Sequence, residues 1–279
     1  MNQFGGDWTE QKIEMVVLYT KAYLTIMNKY PQFKTIYFDG FAGSGDINRE
    51  EENEIDTIKG AAIRILEIDN PKTFDLYYFV ELEETNKDDL EKVINDKFPT
   101  RKKAVVCEDC NVKLTSMADF LVKNKNHRVL AFIDPYGMSV NWSTIEKLKN
   151  LGIDMWILVP TGIGVNRMLK VDGKISDAWL EKLEKFLGIS RDEIKKKFYK
   201  EQTVNTLFGQ ETIIEKEKNT IVKIGKLYRE RLNGIFKFVS ESYVMKNSTN
   251  SIMYHFMMAT NNPTALKIAN DIIKPKYKI

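Results

Sequence analysis

Cysteine and histidine are scarce in this sequence of 279 residues, which holds two of each: Cys107 and Cys110, His127 and His255. Two cysteines can build neither a disulfide framework nor a four-ligand zinc site. Their Cys-x-x-Cys spacing is that of a redox pair, but Cys107 ends the apolar run Ala104-Val105-Val106 instead of preceding a helix, so reduced thiols in a cytoplasmic protein are expected. Two histidines leave no basis for a histidine triad or a histidine metal cluster. Nowhere do 18 apolar residues run together, and Met1 to Trp8 has no basic segment leading into an apolar core, so neither membrane spanning nor export is expected. Phosphate-loop signatures are also missing. Gly45 is followed by Asp46 and Ile47 where a Walker loop needs Lys and Ser or Thr, and Asn48 stands where a dinucleotide fingerprint needs its third glycine.

An apolar content of 43% and a charged content of 29% are those of a soluble globular protein. The length suits one large α/β domain with an insertion, or two small domains. The net charge of +3 is unevenly spread. Residues 163–235 carry 16 Lys plus Arg against 11 Asp plus Glu, leaving 26 against 28 for the rest. That segment is expected to be a helical, basic insertion in a core made of residues 1–162 and 236–279. Lys195, Lys196 and Lys197 within it are either a solvated helix face or a surface for nucleic-acid phosphates.

The pivotal stretch is Thr35 to Gly45. Thr35, Ile36, Tyr37 and Phe38 are β-branched or aromatic, as in a strand buried on both faces. Asp39 follows, and then three glycines in six positions, Gly40, Gly43 and Gly45, make a turn whose backbone a ligand can approach closely. An acid at the mouth of such a loop disfavours phosphate and suits a cationic or hydroxyl-bearing ligand. The pattern Asp39-x-Phe41-x-Gly43-x-Gly45 resembles the first motif of class I S-adenosylmethionine (SAM) dependent methyltransferases. In those enzymes the loop wraps the methionine end of SAM and the acid faces its ammonium.

Strands and helices alternate along the rest of the chain. A helix is expected over residues 9–28, capped by Thr9, and another from Ala61 to Ile68 beyond an acidic loop. Phe74 to Val80 reads as the second strand, ending at Glu81, which suits either ribose hydroxyls or the opening of an acidic helix. Lys103 to Cys107 is the third strand, followed by Asp109, a turn residue or an acceptor for an adenine amino group. Val129 to Ile133 is the fourth, ending in Asp134-Pro135-Tyr136-Gly137, a composition preferred in type I turns. The same stretch resembles the Asp/Asn-Pro-Pro-Tyr/Phe motif of amino-methyltransferases, without the second proline. Ser143 to Glu146 and Ser190 to Glu193 read as capping boxes, and Asp154 to Pro160 as the fifth strand. Phe236 to Met245 and Ser251 to Ala259 flank a turn, and Asn262 caps a last helix with Pro263 in its first turn. Five alternating strands imply a parallel sheet, and the closing antiparallel hairpin suits a seven-stranded methyltransferase sheet.

Trp8, Lys12, Tyr37 to Gly45, Lys59-Gly60, Phe132 to Gly137, Trp142 and Tyr254 to Asn261 together resemble the three-Cys-motif partner proteins (TcmP), over most of the chain outside the central insertion. The resemblance implies a Rossmann-like class I methyltransferase fold, a SAM cofactor without a metal, and a link to a separate three-cysteine protein of radical-SAM or iron–sulfur type. On it, Asp39, Phe41, Gly43 and Gly45 hold the methionine end, Glu81 the ribose, and Asp109 with Cys110 the adenine. Asp134 and the Pro135 carbonyl orient an amino nitrogen of a nucleic-acid base or related compound, and Tyr136 walls the site. A non-catalytic SAM- or nucleotide-binding adaptor is the alternative.

Overall fold

The structure is a computed structural model and describes residues 6–43, 60–206 and 209–274. Helix α1 (Gly6–Met27) leads into strand β1 (Lys34–Asp39). The described part of helix α2 covers 60–66. Strand β2 (Leu76–Glu81), helix α3 (Glu84–Lys97), strand β3 (Lys103–Cys107), helix α4 (Cys110–Lys123), strand β4 (His127–Ile133), the short helix α5 (Trp142–Glu146) and strand β5 (Ile153–Val159) follow. These five strands are parallel, in the order β3-β2-β1-β4-β5.

Strand β10 (Ile252–Thr260) lies antiparallel against β5, pairing His255 with Val159 and Ala259 with Met155. On its far side it pairs with β8 (Phe238–Val239) and β9 (Tyr243–Lys246). A parallel sheet ended by an antiparallel strand slotted inside its last neighbour is the Rossmann-like methyltransferase topology. The sheet has eight strands, one more than expected. Phe236 to Met245, read as one run, is divided around Ser240, whose N–H bonds the Met258 carbonyl at 2.8 Å and whose Oγ accepts from Met258 N at 2.9 Å.

Strand side chains alternate between two cores, which is why the strands read as unbroken apolar runs. Phe38, Ala131, Ile157 and Met257 belong to one face, and Tyr37, Leu130, Trp156 and Phe256 to the other. Each large side chain so buried stabilises the fold by roughly 1.5–3 kcal/mol. Helices α1, α2, α3 and α10 (Pro263–Ile273) cover the Tyr37 face. Helices α4 and α5 cover the other face, joined there by residues from the segment after β5.

That segment opens with a π-helical turn (Thr161–Val165) and runs through α6 (Asn166–Met168), α7 (Asp177–Leu187), α8 (Arg191–Phe198) and α9 (Thr220–Asn233). Between α8 and α9 lies a two-stranded antiparallel sheet, β6 (Tyr199–Thr206) with β7 (Gly209–Lys216). The helical reading is therefore corrected for residues 199–206 and 209–216. Leu183, Phe186 and Phe198 pack into the same core as the main sheet.

Local signals resolve in mixed fashion. The Ser190–Glu193 capping box is formed in both directions, and Asn262 accepts from Thr264 N ahead of Pro263. Thr9 is not a cap, because α1 already begins at Gly6. Ser143 is not a cap either: α5 starts after Asn141, and Glu146 Oε1 instead accepts from Trp142 Nε1 at 2.9 Å. No helix among the described residues is long and apolar enough to cross a membrane.

Candidate functional site

The order β2-β1-β4 places three acids on adjacent strand ends. Asp39 is the last residue of β1, Glu81 the last of β2, and Asp134 follows Ile133 at the end of β4. The chain steps outward from β1 to β3 and then returns to β4 beside β1. That reversal leaves a crevice at the carboxyl ends, the place where open α/β sheets hold ligands.

The loop after Asp39 is stitched across this crevice. Gly40 N donates to the Phe132 carbonyl on β4 at 3.0 Å, and Ala42 N donates to the Val80 carbonyl on β2 at 2.9 Å. Phe41 N turns back to Asp39 Oδ1 at 3.2 Å. The chain thus crosses from β4 to β2 in three residues. Gly40 is required by contact: a Cβ there would lie 2.7 Å from Cys110 Sγ and 2.9 Å from Ile133 Cδ1. At Gly43 a Cβ would stand 3.0 Å from Glu81 Oε2, so the loop lies close against that carboxylate where it has no side chain. Asn86 Nδ2 fixes the Gly43 carbonyl at 3.1 Å. Gly45 lies outside the described residues, as do Ser44 and Lys59.

Asp39 is 2% exposed, and its Oδ2 receives the Tyr37 hydroxyl at 3.3 Å. Burial raises its pKa to about 7, and the nearby Asp134 and Glu81 charges push the same way, against the Phe41 and Tyr37 hydrogen bonds. A bound cation would restore the carboxylate. Glu81 is also buried, and burial raises its pKa against hydrogen bonding by Glu83 N, the Asn86 amide and Leu82 N. Its Oε2 is sealed from solvent with no hydrogen-bond partner among the described residues. An orphaned buried carboxylate oxygen costs stability unless a ligand hydroxyl meets it.

Asp134 is not free to face a ligand alone. Lys12 of α1, itself buried, forms an ion pair and hydrogen bond with its Oδ2. The sequence reading gave Lys12 no role. A signal existed: Lys12 is one turn from Val16 and in line with Tyr19 and Tyr23, all buried on one face of α1, where a lysine needs a partner. Pro135 is buried, whereas Tyr136 is 68% exposed and Gly137 takes a φ of +61°.

The two residues expected at the adenine lie at the start of α4. Asp109 is the N-cap of α4, its Oδ1 accepting from Asn111 N at 2.7 Å and Val112 N at 3.4 Å. This occupies one of its oxygens and agrees with the turn reading. The Cys110 side chain is buried in the core against the Gly40 position, and burial pushes its thiol pKa up, so Cys110 packs as a small apolar residue. Phe41 is half-buried and leans on the same core. The three lysines, 195 to 197, stand exposed in the last turn of α8, where positive charge also favours the helix dipole.

No family model matches the chain, and no curated protein matches it in sequence. Among solved structures it is similar to spermidine synthase from Thermotoga maritima at a TM-score of 0.41 and 11% identity, covering 91% of this chain and 59% of that one. Trm1 from Pyrococcus horikoshii, solved with S-adenosyl-L-methionine, gives 0.36 and 10%, covering 91% and 63%. The protein LPL1258 from Legionella pneumophila gives 0.39 and 17%, covering 93% and 99%. The chain thus spans under two thirds of the length of the first two. These likenesses are distant, and the topology rests on the strand order described above.

Proposed function

We propose that the protein is a SAM-dependent methyltransferase acting on an amino nitrogen of a nucleic-acid base or a related compound. The observation that carries this reading is the pair of buried acids under a glycine loop: Asp39, poised near neutrality, and Glu81, with an orphaned oxygen. A sulfonium nucleoside offers what each lacks, an ammonium for the first and ribose hydroxyls for the second. Bound there, SAM would supply an electrophilic methyl group on a positively charged sulfur.

The chain's own residues divide the remaining work. Glu81 accepts ribose hydroxyl hydrogen bonds. Asp39 balances the ligand's ammonium, and the loop amides tied to β2 and β4 keep its backbone fixed. Asp134 and the Pro135 carbonyl accept from the acceptor amine, drawing its lone pair out of conjugation with the ring and orienting it toward the methyl. Tyr136 flanks the acceptor. The resemblance to three-Cys-motif partner proteins supports the same cofactor.

One observation favours a second reading, a non-catalytic SAM-binding partner of a three-cysteine protein: Lys12 already occupies the acid that should receive the amine. Methyl transfer from tritiated SAM to nucleic acid, measured for the wild type and Asp134→Ala, separates the two. Transfer that vanishes in the variant supports the enzyme. Calorimetric SAM binding with no transfer to any acceptor supports the partner, and absence of SAM binding removes both.

A further inference from the structure

The opposite end of the parallel strands carries a cleft. It opens at the amino ends of β4 and β5 with a volume of about 650 Å³, a size typical of small-molecule sites. Leu130 to Ile133 of β4 separate its lining from Asp134, about 16 Å from Val129 at roughly 3.3 Å per residue, so it is not part of the acidic crevice.

Its charged lining is mainly basic. Lys125, Arg128, Lys149 and Lys237 line it, from three parts of the chain. No carboxylate among the described residues pairs with Lys125, Lys149 or Lys237. Arg128 is planted: Nη1 donates to the carbonyls of Lys125 at 2.9 Å and His127 at 2.8 Å, and the guanidinium lies 3.8 Å from the Phe33 ring centroid. Asn262, the N-cap of the eleven-residue α10, also faces the cleft and brings the positive end of a helix dipole to its rim. The single acid in the lining, Asp154, already accepts from the hydroxyls of Tyr19 and Thr260. Tyr23 supplies an independent pointer: it lines the cleft, and its buried hydroxyl has no hydrogen-bond partner among the described residues.

We infer that this cleft binds a phosphate-bearing ligand, either a free nucleotide or the terminal phosphate of a nucleic acid. Four convergent cations and an unused buried hydroxyl donor match a multiply charged, oxygen-rich group, which gains most from concave, partly desolvated surroundings. The site does not depend on the SAM reading.

The test is calorimetric titration of the full chain with inorganic tripolyphosphate, ATP, and a single-stranded oligonucleotide with and without a 5′-phosphate, in roughly 0.1 M salt where nonspecific contacts weaken. The expected result is one site per chain, with affinity at least about tenfold weaker in Lys149→Glu/Lys237→Glu, and little changed in Lys195→Glu/Lys196→Glu, which alters the same charge elsewhere. Tyr23→Phe should weaken binding roughly threefold to tenfold, as loss of one hydrogen bond to a charged group does. ATP in preference to either oligonucleotide identifies a free nucleotide, and dependence on the 5′-phosphate identifies a nucleic-acid end. Lack of saturable binding by any probe overturns the inference, as does equal weakening by the two charge-reversal pairs. Because all four lysines are exposed, circular dichroism is expected to show folded variants.

Discussion

Lys12 on α1 and Asp134 after β4, 122 residues apart in the chain, form an ion pair at the mouth of the crevice. Lys12 sets a positive charge beside Asp134 and ties the first helix to the loop that would receive a methyl acceptor.

Removing the lysine therefore has two consequences. Lys12→Met leaves Asp134 without this partner and is expected to lower stability by roughly 2–4 kcal/mol, near the lower end for a broken buried pair because Asp134 keeps some contact with water. Urea unfolding checks the loss. Lys12→Met/Asp134→Asn should recover part of it, and strictly additive effects in this double-mutant cycle would show that the pair does not couple.

Asp39 links cofactor binding to pH. With its pKa near 7, binding a cation at pH 6 must expel a proton from the carboxyl group. SAM affinity should fall by up to about tenfold per pH unit below 7, and calorimetry in buffers of different ionisation enthalpy should report release of close to one proton. Asp39→Asn should abolish both effects, with weaker binding throughout. A pH-independent affinity in the wild type would place the ammonium elsewhere.

Folding stability should record two opposed titrations. Asp39 has a folded pKa above its ordinary value, so the native state holds more protons between about pH 4 and 7, and this group's contribution to stability falls as pH rises through that range. His255, buried beside Thr161 with Nδ1 and Oγ1 2.8 Å apart, is pushed by burial down to about 4; its contribution falls as pH drops from 6.5 to 4. Each full excursion amounts to roughly 3.5–4.5 kcal/mol at about 1.4 kcal/mol per pKa unit. Between about pH 4 and 6.5 these two contributions oppose one another. Asp39→Asn should expose a loss toward acid and His255→Gln a loss toward neutrality, both read from urea midpoints.

Cys110 and Gly40 form a packing pair. Gly40→Ala forces a methyl group against Cys110 Sγ and should cost roughly 1–3 kcal/mol, of which Cys110→Ala in the same chain should return a part. Cys110→Ala alone is expected to leave SAM affinity within about twofold, the effect of a residue touching the ligand only through the core. A tenfold loss on that single change would return the thiol to the adenine site.

The five parallel strands were legible because burial on both faces leaves no room for polar residues, and runs such as Val129 to Ile133 advertise it. The Ser190 and Asn262 caps were legible because a cap is a local hydrogen bond written in adjacent residues. The sheet of β6 and β7 was not. Its side chains at 200–203 and 213–215 are exposed, so its alternation carries no core-facing stripe. Strand ends announced Asp39, Glu81 and Asp134, but not that Lys12 meets the last of them. That the Cys110 side chain turns into the core was legible in its own apolar character, although its neighbour Asp109 drew attention to polar chemistry. The basic cleft joins residues from distant parts of the chain, and no stretch of the sequence foreshadows it.

Strand β10 shields one whole edge of β5, yet it comes from a part of the chain made long after β5 itself. Until residue 260 has emerged from the ribosome, the half-built sheet carries all three acidic strand ends and a bare row of amides and carbonyls along Met155 to Val159. A nascent or truncated chain lacking β10 would therefore offer a sticky border to its neighbours, and its fate would be self-association before any ligand could help it.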